Sequence, residues 1–283
     1  MRIRELIHQT AMKLADGGLE KMEAARDARL LMQHASGFDR AALISRENEP
    51  ASPELVERIR AMVERRAEGE PVSRIVGEKE FFGLRFRVTP AVLDPRPETE
   101  VLVDRVLADQ GDREAPTVFA DIGTGSGAIA VALLANLPSA RCVAVDISGD
   151  ALDVAATNAR ANGVDERVDL VRGDFLTSLS GSFDFIVSNP PYIVREEIAM
   201  LAREVREYDP RAALDGGADG LDAYRVLLAQ AGPLLKPGGR LYVEIGAGQA
   251  KAIKTLARAG GWHVIDAVTD LGGNERVLVV IAM

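Results

Sequence analysis

Residues 117–128 read Thr-Val-Phe-Ala-Asp-Ile-Gly-Thr-Gly-Ser-Gly-Ala. The first six, Thr117–Ile122, are rich in apolar and β-branched residues, which is typical of a buried strand. Three glycines follow, and the apolar run Ala128–Leu137 has the length of a short helix. A glycine loop between a strand and a helix lies at the carboxyl end of the strand, where open α/β sheets bind their ligands. This stretch therefore predicts both a fold class and the place of a ligand site.

The same alternation of short strands and helices continues to the end of the chain. Predicted strands are Thr117–Ile122, Arg141–Asp146, Val168–Arg172, Phe183–Ser188, Arg240–Ile245, Trp262–Val268 and Arg276–Ile281. Predicted helices are Ala128–Leu137, Asp150–Asn162 and a segment near Gln249–Ala259. This order predicts an α/β fold with a mostly parallel sheet and helices on both faces.

The chain before residue 94 has a different pattern. Amphipathic helices are predicted from about Ile3 to Asp16, from about Met22 to Ala35, and from Ser52-Pro53 to a stop at Gly69. Residues 76–93 then alternate in polarity around a turn at Gly83, as in a hairpin. We therefore expect three parts: a helical domain over 1–75, a β-hairpin linker over 76–93, and an α/β domain over 94–283.

Composition restricts the possible functions. The 283 residues contain 47% hydrophobic residues but no apolar run of membrane-spanning length, and the N-terminal residues do not resemble a signal peptide. A cytoplasmic protein without a membrane partner is expected, and a monomer. Cys142 is the only cysteine and the three histidines are scattered, so no disulfide and no metal site is predicted.

The net charge of −9 is unevenly distributed. Residues 1–75 contain 13 basic and 13 acidic side chains, so the whole excess of acid lies in the rest of the chain. Nucleic acid carries dense negative charge and usually selects basic surfaces. The charge distribution therefore makes nucleic acid an unlikely direct substrate, although a local basic patch remains compatible with it.

Several residues near the glycine loop suit a nucleoside cofactor. Asp146 ends the second predicted strand, 19 residues past Gly127, where a carboxylate can accept both hydroxyl protons of a ribose. Asp121 suits the cationic end of S-adenosylmethionine, whereas a pyrophosphate would not favour an acid there. Asp174 and Phe175 can hold an adenine by a hydrogen bond and an apolar face. Two alternatives remain open: the loop loosely satisfies a dinucleotide fingerprint, and Phe175 can be simple core packing.

The fourth predicted strand leads directly into Asn189-Pro-Pro-Tyr192. A planar nitrogen is a poor nucleophile, so acceptors that take its hydrogens and hold it in line with a reactive methyl group would help it react. Asn189 offers a side-chain oxygen and Pro190 a carbonyl, on a loop that consecutive prolines stiffen. Tyr192 can lie against the flat face of the substrate group. An ordinary Asn-Pro turn is the alternative, but the strand and the glycine loop make it the weaker one.

With these motifs the chain resembles the amino-methyltransferases that carry Asn/Asp-Pro-Pro-Tyr, and more closely the protein-glutamine methyltransferases of peptide chain release factors, the PrmC/HemK family. The resemblance covers nearly the whole chain. The matching stretches are Glu70-Pro71, Gly77–Gly83, Pro95-Arg-Pro-Glu-Thr-Glu100, Asp121–Gly127, Ser188–Tyr192, Leu214–Gly217, Asp219-Gly220 and Pro237-Gly-Gly239. Asp94 departs from the pattern, because an aliphatic residue is expected before Pro-Arg-Pro.

The resemblance implies a doubly wound, seven-stranded, Rossmann-like S-adenosylmethionine-dependent methyltransferase domain behind a small helical domain that docks the release factor. The substrate would be the glutamine of the Gly-Gly-Gln tripeptide. The predicted cofactor-binding residues are Asp121, Gly123, Thr124, Gly125, Ser126, Gly127, Asp146, Asp174, Phe175 and Asn189. The predicted catalytic residues are Asn189, Pro190 and Tyr192, and Pro191 joins them in binding substrate.

Two other functions remain as alternatives. The same chemistry could act on the exocyclic amine of an adenine or guanine in nucleic acid, which the acidic total disfavours. The chain could instead be a non-catalytic binding module, which the intact Asn-Pro-Pro-Tyr motif disfavours.

Overall fold

The computed structural model describes residues 1–282. The chain divides into two compact units. One consists of Met1–Glu78 together with Arg203–Tyr208, and the other of Lys79–Ala202 together with the chain from Asp209 onward. The return of Arg203–Tyr208 to the first unit is a feature that local periodicity did not indicate.

The first unit is helical. Its helices are α1 (Ile3–Asp16), α2 (Lys21–Ser36), α3 (Arg40–Ser45), α4 (Pro53–Ala67) and α5 (Val72–Val76), with a later helix at Arg203–Tyr208. The three longer helices confirm the sequence prediction, and Ser52 caps α4 by accepting a hydrogen bond from the Leu55 amide. Helices α3 and α5 were not predicted, because five or six residues are too few to show a helical period.

A buried arginine ties this unit together. Arg66 of α4 is 4% exposed, and its Nε lies 2.8 Å from Oδ2 of Asp27 on α2, a residue that is itself fully buried. Its Nη2 lies 3.0 Å from Glu23 and 3.2 Å from Glu204, and its Nη1 donates to the Glu70 carbonyl. Since a buried charge is costly unless it is paired, this network requires three helical segments to be present at once.

A β-hairpin follows the first unit. Strands β1 (Glu78–Phe81) and β2 (Leu84–Arg87) are joined by Phe82 and Gly83, which both have positive φ, 52° and 73°. Positive φ at both central residues is the type I′ turn that suits the twist of a hairpin. Phe82 is a bulky residue for that position, and its amide is held by Glu100 Oε1 at 2.8 Å.

The second unit is built on a seven-stranded sheet with strand order β5-β4-β3-β6-β7-β9-β8. Its strands are β3 (Thr117–Ile122), β4 (Ala140–Asp146), β5 (Val168–Arg172), β6 (Phe183–Ser188), β7 (Leu235–Glu244), β8 (Trp262–Thr269) and β9 (Glu275–Ala282). Strands β3 to β7 pair in parallel, whereas β9 is antiparallel to both β7 and β8. All seven predicted strands and the mostly parallel sheet are confirmed.

Helices cover both faces of this sheet. They are α6 (Glu100–Asp109), α7 (Ala128–Asn136), α8 (Gly149–Ala161), α10 (Asp222–Ala231) and α11 (Ala250–Ala259), with α9 the segment Arg203–Tyr208 of the helical unit. Alternate residues of each strand point to opposite faces of the sheet and belong to two different apolar clusters. Phe119 and Phe185 pack with α6 and α7, whereas Ala120 and Ile186 pack with α10 and α11. The doubly wound α/β prediction is therefore confirmed.

Three details differ from the sequence prediction. Helices α6 and α10 were not predicted, and β7 begins five residues earlier than expected, at Leu235. The early part of β7 includes Pro237-Gly-Gly239 and pairs with β6 through a register shift. A side chain at Gly239 would put its Cβ 3.0 Å from the Asp184 carbonyl oxygen, so the close approach of the two strands there requires glycine. Among residues 1–282, no helix has the length and apolar character needed to cross a membrane.

Candidate active site

The sheet carries a cavity of about 410 Å³ at the carboxyl ends of its central strands. Strand β3 lies between β4 and β6, so the strand order reverses at this point, which is where open α/β sheets bind ligands. The lining includes eight of the predicted site residues: Gly123, Gly125, Asp146, Asp174, Phe175, Asn189, Pro190 and Pro191. Residues separated by up to 68 positions in the sequence are thus brought to one cavity.

Asp146 and the glycine loop form one hydrogen-bonded unit. Asp146 Oδ2 accepts from the Gly125 amide at 2.8 Å, and Oδ1 accepts from the Ser148 amide at 2.9 Å. Gly125 has φ 54°, a backbone conformation that residues other than glycine adopt only at a cost in free energy. Behind the loop, a Cβ at Gly127 would lie 3.2 Å from that of Ala155, so this glycine allows α8 to pack closely.

Asp121 lies beneath the cavity, outside its lining. The side chain is fully buried, and its Oδ2 accepts from Thr124 Oγ1 at 2.7 Å and from the Ala130 amide at 3.3 Å. Thr124 and Ser126 are also buried and are not among the residues that line the cavity. Burial raises the pKa of the Asp121 carboxyl to about 7.

The position of Asp121 bears on the dinucleotide alternative. A pyrophosphate normally binds to free amides at the start of the helix after the glycine loop. Here the Ala130 amide in the first turn of α7 donates to Asp121, and the Gly125 amide donates to Asp146. With these donors used by carboxylates, the loop is poorly suited to a second anionic group.

Phe175 forms part of the cavity wall and also packs against the core. It is half-buried, contacts the apolar cluster around α10, and has φ 50°. A bulky residue in this region of backbone space costs about 1–3 kcal/mol. The two interpretations of Phe175, core packing and ligand contact, therefore both fit its position. Its neighbour Asp174 is exposed at the cavity rim.

The Asn189–Tyr192 loop is anchored at both ends. Ser188 Oγ donates to the Ile122 carbonyl at 2.7 Å, which ties the end of β6 to that of β3. Asn189 Nδ2 donates to Thr99 Oγ1 at 3.1 Å. At the other end, the Tyr192 carbonyl accepts from Gln249 Nε2 at 2.8 Å, and burial raises the pKa of the Tyr192 hydroxyl to about 12. Tyr192 is outside the set of residues that line the cavity.

Two residues near this loop were missed by sequence reasoning. Thr99 lies in the Pro95–Glu100 stretch, to which no role was assigned, and Glu244 ends β7 with only 2% of its surface exposed. Burial raises the pKa of the Glu244 carboxyl to about 7. The available signal was an acid at the end of the apolar run Leu241–Val243, a position equivalent to that of Asp146 at the end of β4.

Asn158 of α8 was also missed. Its Oδ1 accepts from the Arg87 amide at 2.7 Å, while Nδ2 donates to the carbonyls of Arg87 and Ser126 at 3.0 and 2.8 Å. Only 1% of this side chain is exposed. It therefore links strand β2 to the glycine loop through a fully buried amide.

Cys142 and Asp94, which the sequence also singled out, do not line the cavity. Cys142 is buried in β4, and burial raises the pKa of its thiol well above the ordinary value, which makes it unreactive. Asp94, the departure from the family pattern, is buried in the segment before α6. Among residues 1–282, no three histidine, cysteine or acidic side chains come together as a metal site would require.

Comparison with known proteins assigns the chain to the methyltransferases. Residues 97–207 match the family model of the methyltransferase small domain. The fold is similar to that of a methyltransferase from Pyrococcus furiosus, with a TM-score of 0.52 and 21% identity over 71% of this chain and 90% of that one.

Sequence relatives narrow the class. Residues 5–77 match the PrmC N-terminal domain. The release factor glutamine methyltransferase of Agrobacterium fabrum is 46% identical over 89% of this chain and 88% of its own length. That of Cereibacter sphaeroides is 45% identical over 98% of both chains. The chain belongs to the family of release factor glutamine methyltransferases.

Proposed function

We propose that the protein transfers a methyl group from S-adenosylmethionine to the side-chain amide nitrogen of the glutamine in the Gly-Gly-Gln motif of peptide chain release factors. The observation that carries the chemistry is the bond from Asn189 Nδ2 to Thr99, because it leaves Oδ1 of this cavity-lining residue as the acceptor. The relatives named as release factor glutamine methyltransferases support the substrate.

The cavity suits the proposed cofactor. Its volume lies in the range of about 300–1,000 Å³ found for small-molecule and cofactor pockets. Asp146, already positioned by two backbone amides, would accept from the ribose hydroxyls, and Phe175 would offer an apolar face to the adenine. When bound, S-adenosylmethionine supplies an electrophilic methyl group on a sulfonium sulfur. Asp121 would act indirectly, by holding the glycine loop through Thr124.

The Asn189–Tyr192 loop would orient the substrate nitrogen. Asn189 Oδ1 and the Pro190 carbonyl would accept its two hydrogens, so that the nitrogen lone pair points at the methyl carbon. Pro190 is buried and Pro191 is its rigid neighbour, so the acceptors are fixed before the substrate arrives. No general base is required, because the proton can leave after the methyl group has been transferred.

The helical unit would dock the release factor away from the glutamine, since a tripeptide offers too little area to select one glutamine among many. Deleting residues 1–75 would be a poor test, because α9 would lose Arg66, the partner of Glu204. Charged substitutions of exposed apolar residues in the full chain are better. Met22 is 79% exposed and Ile44 is 65% exposed.

Methyl-transfer assays with a purified release factor, total ribosomal RNA and genomic DNA test this proposal. The proposed function predicts labelled release factor and unlabelled nucleic acid, whereas labelled nucleic acid alone would favour the exocyclic-amine alternative. For docking, Met22→Glu and Ile44→Glu should slow transfer to the intact release factor and leave transfer to a short Gly-Gly-Gln peptide unchanged. Transfer to the intact release factor at the wild-type rate in both variants would contradict docking through these side chains.

A further inference from the structure

Glu244 is a buried acid beside the Asn189–Tyr192 loop. Strands β6 and β7 pair with Ser188 opposite Val243, so Asn189 and Glu244 are the next residues along the two neighbouring strands. The side chain is almost fully buried, and within residues 1–282 its Oε2 has no hydrogen-bond partner. A buried carboxylate without full compensation destabilises a protein. A buried carboxylate at position 244 therefore indicates that Glu244 has a function in the site.

Thr99 connects this acid to the loop. Its Oγ1 accepts from Asn189 Nδ2 at 3.1 Å. A hydrogen bond from the Thr99 hydroxyl would favour the charged form of the Glu244 carboxyl. Thr99 would thereby link Glu244 to Asn189, and none of the sequence predictions had assigned a role to Thr99 or Glu244.

We propose that Glu244 and Thr99 are positioning residues that fix the orientation of the Asn189 side-chain amide, so that Oδ1 and not Nδ2 faces the substrate nitrogen. The inference rests on the proposed function of Asn189 as the acceptor for that nitrogen.

The reason lies in the number of protons available. A threonine hydroxyl has one proton to donate and lone pairs to accept with. An ionised carboxylate is the stronger acceptor, so the Thr99 proton goes to Glu244. Only lone pairs of Oγ1 then remain for Asn189, and only the NH₂ end of the amide can satisfy them. If Glu244 were protonated it could donate to Thr99, and the Thr99 proton could turn to Asn189 Oδ1, which would allow the amide to flip.

The groups around Glu244 set its charge. Burial is the largest influence and raises its pKa to about 7. Arg276 of β9 and the hydroxyls of Thr99 and Tyr192 favour the charged form, whereas Glu98 opposes it. Tyr224 of α10 donates its hydroxyl to the Glu244 backbone carbonyl. The carboxyl is therefore increasingly ionised as pH rises through about 7, and the fixed orientation of Asn189 should follow the same dependence.

The resting enzyme permits a test that needs no substrate. The side-chain NH₂ signals of Asn189, assigned in NMR spectra by their loss in Asn189→Ala, should shift with pH around 7. The titration should persist in Thr99→Ser, which keeps the hydroxyl, and disappear in Thr99→Val and Glu244→Gln. An Asn189 signal that does not titrate near pH 7, or that titrates unchanged in Glu244→Gln, would overturn the proposal. This holds whatever the substrate of the enzyme is.

Single-turnover rates of methyl transfer provide a second test of the positioning role. At saturating cofactor and release factor, Thr99→Val should lower the single-turnover rate on the order of 10- to 100-fold, the scale of lost orientation. Cofactor affinity should stay unchanged, and Thr99→Ser should stay within about threefold of wild type, since it keeps the orienting hydroxyl. Thr117→Val is the control for the general cost of replacing a buried threonine by valine, because Thr117 lies at the end of β3 that is far from the cavity.

The remaining variants separate the two proposals. Wild-type rates should rise with pH and level off above about 7, and Glu244→Gln should lose that rise, whereas Glu275→Gln, a control at a half-buried position of β9, should keep it. Equal losses in Thr99→Ser and Thr99→Val would mean that packing and not the hydroxyl matters, which contradicts the positioning role. Failure of the wild type to methylate any release factor would instead contradict the proposed function and leave the NMR result to decide the positioning role.

Discussion

Asp146 Oδ2 accepts a hydrogen bond from the Gly125 amide at 2.8 Å, and this bond joins the end of β4 to the loop that follows β3. The acid and the glycine therefore hold each other in place before any ligand binds. A preorganised carboxylate of this kind binds its ligand with less loss of side-chain entropy.

Asp146→Ala should weaken S-adenosylmethionine binding by about 1.5–3 kcal/mol, the range for hydrogen bonds to a charged group. The structure adds a reason, because the Gly125 and Ser148 amides would lose their acceptor as well. Titration calorimetry measures the effect, with Asp169→Ala on the exposed face of β5 as the control. Unchanged affinity in Asp146→Ala would remove this residue from the cofactor site.

Asn189→Ala should leave the fold intact and lower the methyl-transfer rate by at least about 100-fold, because an orienting acceptor is lost. Single-turnover rates at saturating substrate report this step directly. Asn274→Ala, in the turn between β8 and β9, should transfer methyl at the wild-type rate. If Asn189→Ala reacts as fast as this control, the nitrogen is oriented by another group.

Asn158→Ala should destabilise the protein by about 2–4 kcal/mol, because it leaves two carbonyls and one amide without partners in a buried place. The free energy of unfolding in urea gives the value. Asn136→Ala is the matched control on a neighbouring helix, since it removes only a bond to the Ala132 carbonyl one turn back. A similar small loss in both variants would show that the link between β2 and the glycine loop is weak.

Asp121 should make the stability of the protein depend on pH. The pKa of the Asp121 carboxyl is raised to about 7 in the folded chain, above its value in the unfolded chain. The protonated carboxyl therefore contributes to the free energy of unfolding fully below about pH 4, and this contribution is lost as pH rises through about 7. Asp121→Asn cannot ionise and should gain about 2.5 kcal/mol in stability relative to wild type between pH 5 and pH 8.

Urea unfolding at the two pH values checks this. Asp270→Asn is the control, because burial plays little part there and hydrogen bonding to Arg276 and Asn274 lowers the Asp270 pKa to about 2. The stability that Asp270 contributes is lost only as pH falls through that value, so Asp270→Asn should show no change relative to wild type between pH 5 and pH 8. A constant difference between Asp121→Asn and wild type over this range would mean that Asp121 is ionised throughout.

The parts of the fold that the sequence predicted are those with local signals. The strands of the sheet are short β-branched runs, and the glycine loop and Asn189–Tyr192 each follow directly on a strand. Helices α6 and α10 were not predicted although both are amphipathic, because neither begins with a side-chain N-cap that would mark its start.

The partners of the site residues could not be predicted, because they are distant in sequence. Thr99 lies 90 residues from Asn189, and Asn158 lies 71 from Arg87. Periodicity and motif spacing report on neighbours along the chain, whereas these bonds depend on the strand order and on how α8 packs. The strand-end position of Glu244 was visible, but its hydrogen-bond partners were not.

Mass spectrometry of the release factor after reaction with wild-type enzyme and S-adenosylmethionine tests the proposed methyl transfer. We expect one added methyl group, located on the glutamine of the Gly-Gly-Gln motif, and none on a release factor that carries Gly-Gly-Ala instead. A methyl group at another residue, or equal labelling of the Gly-Gly-Ala protein, would contradict it.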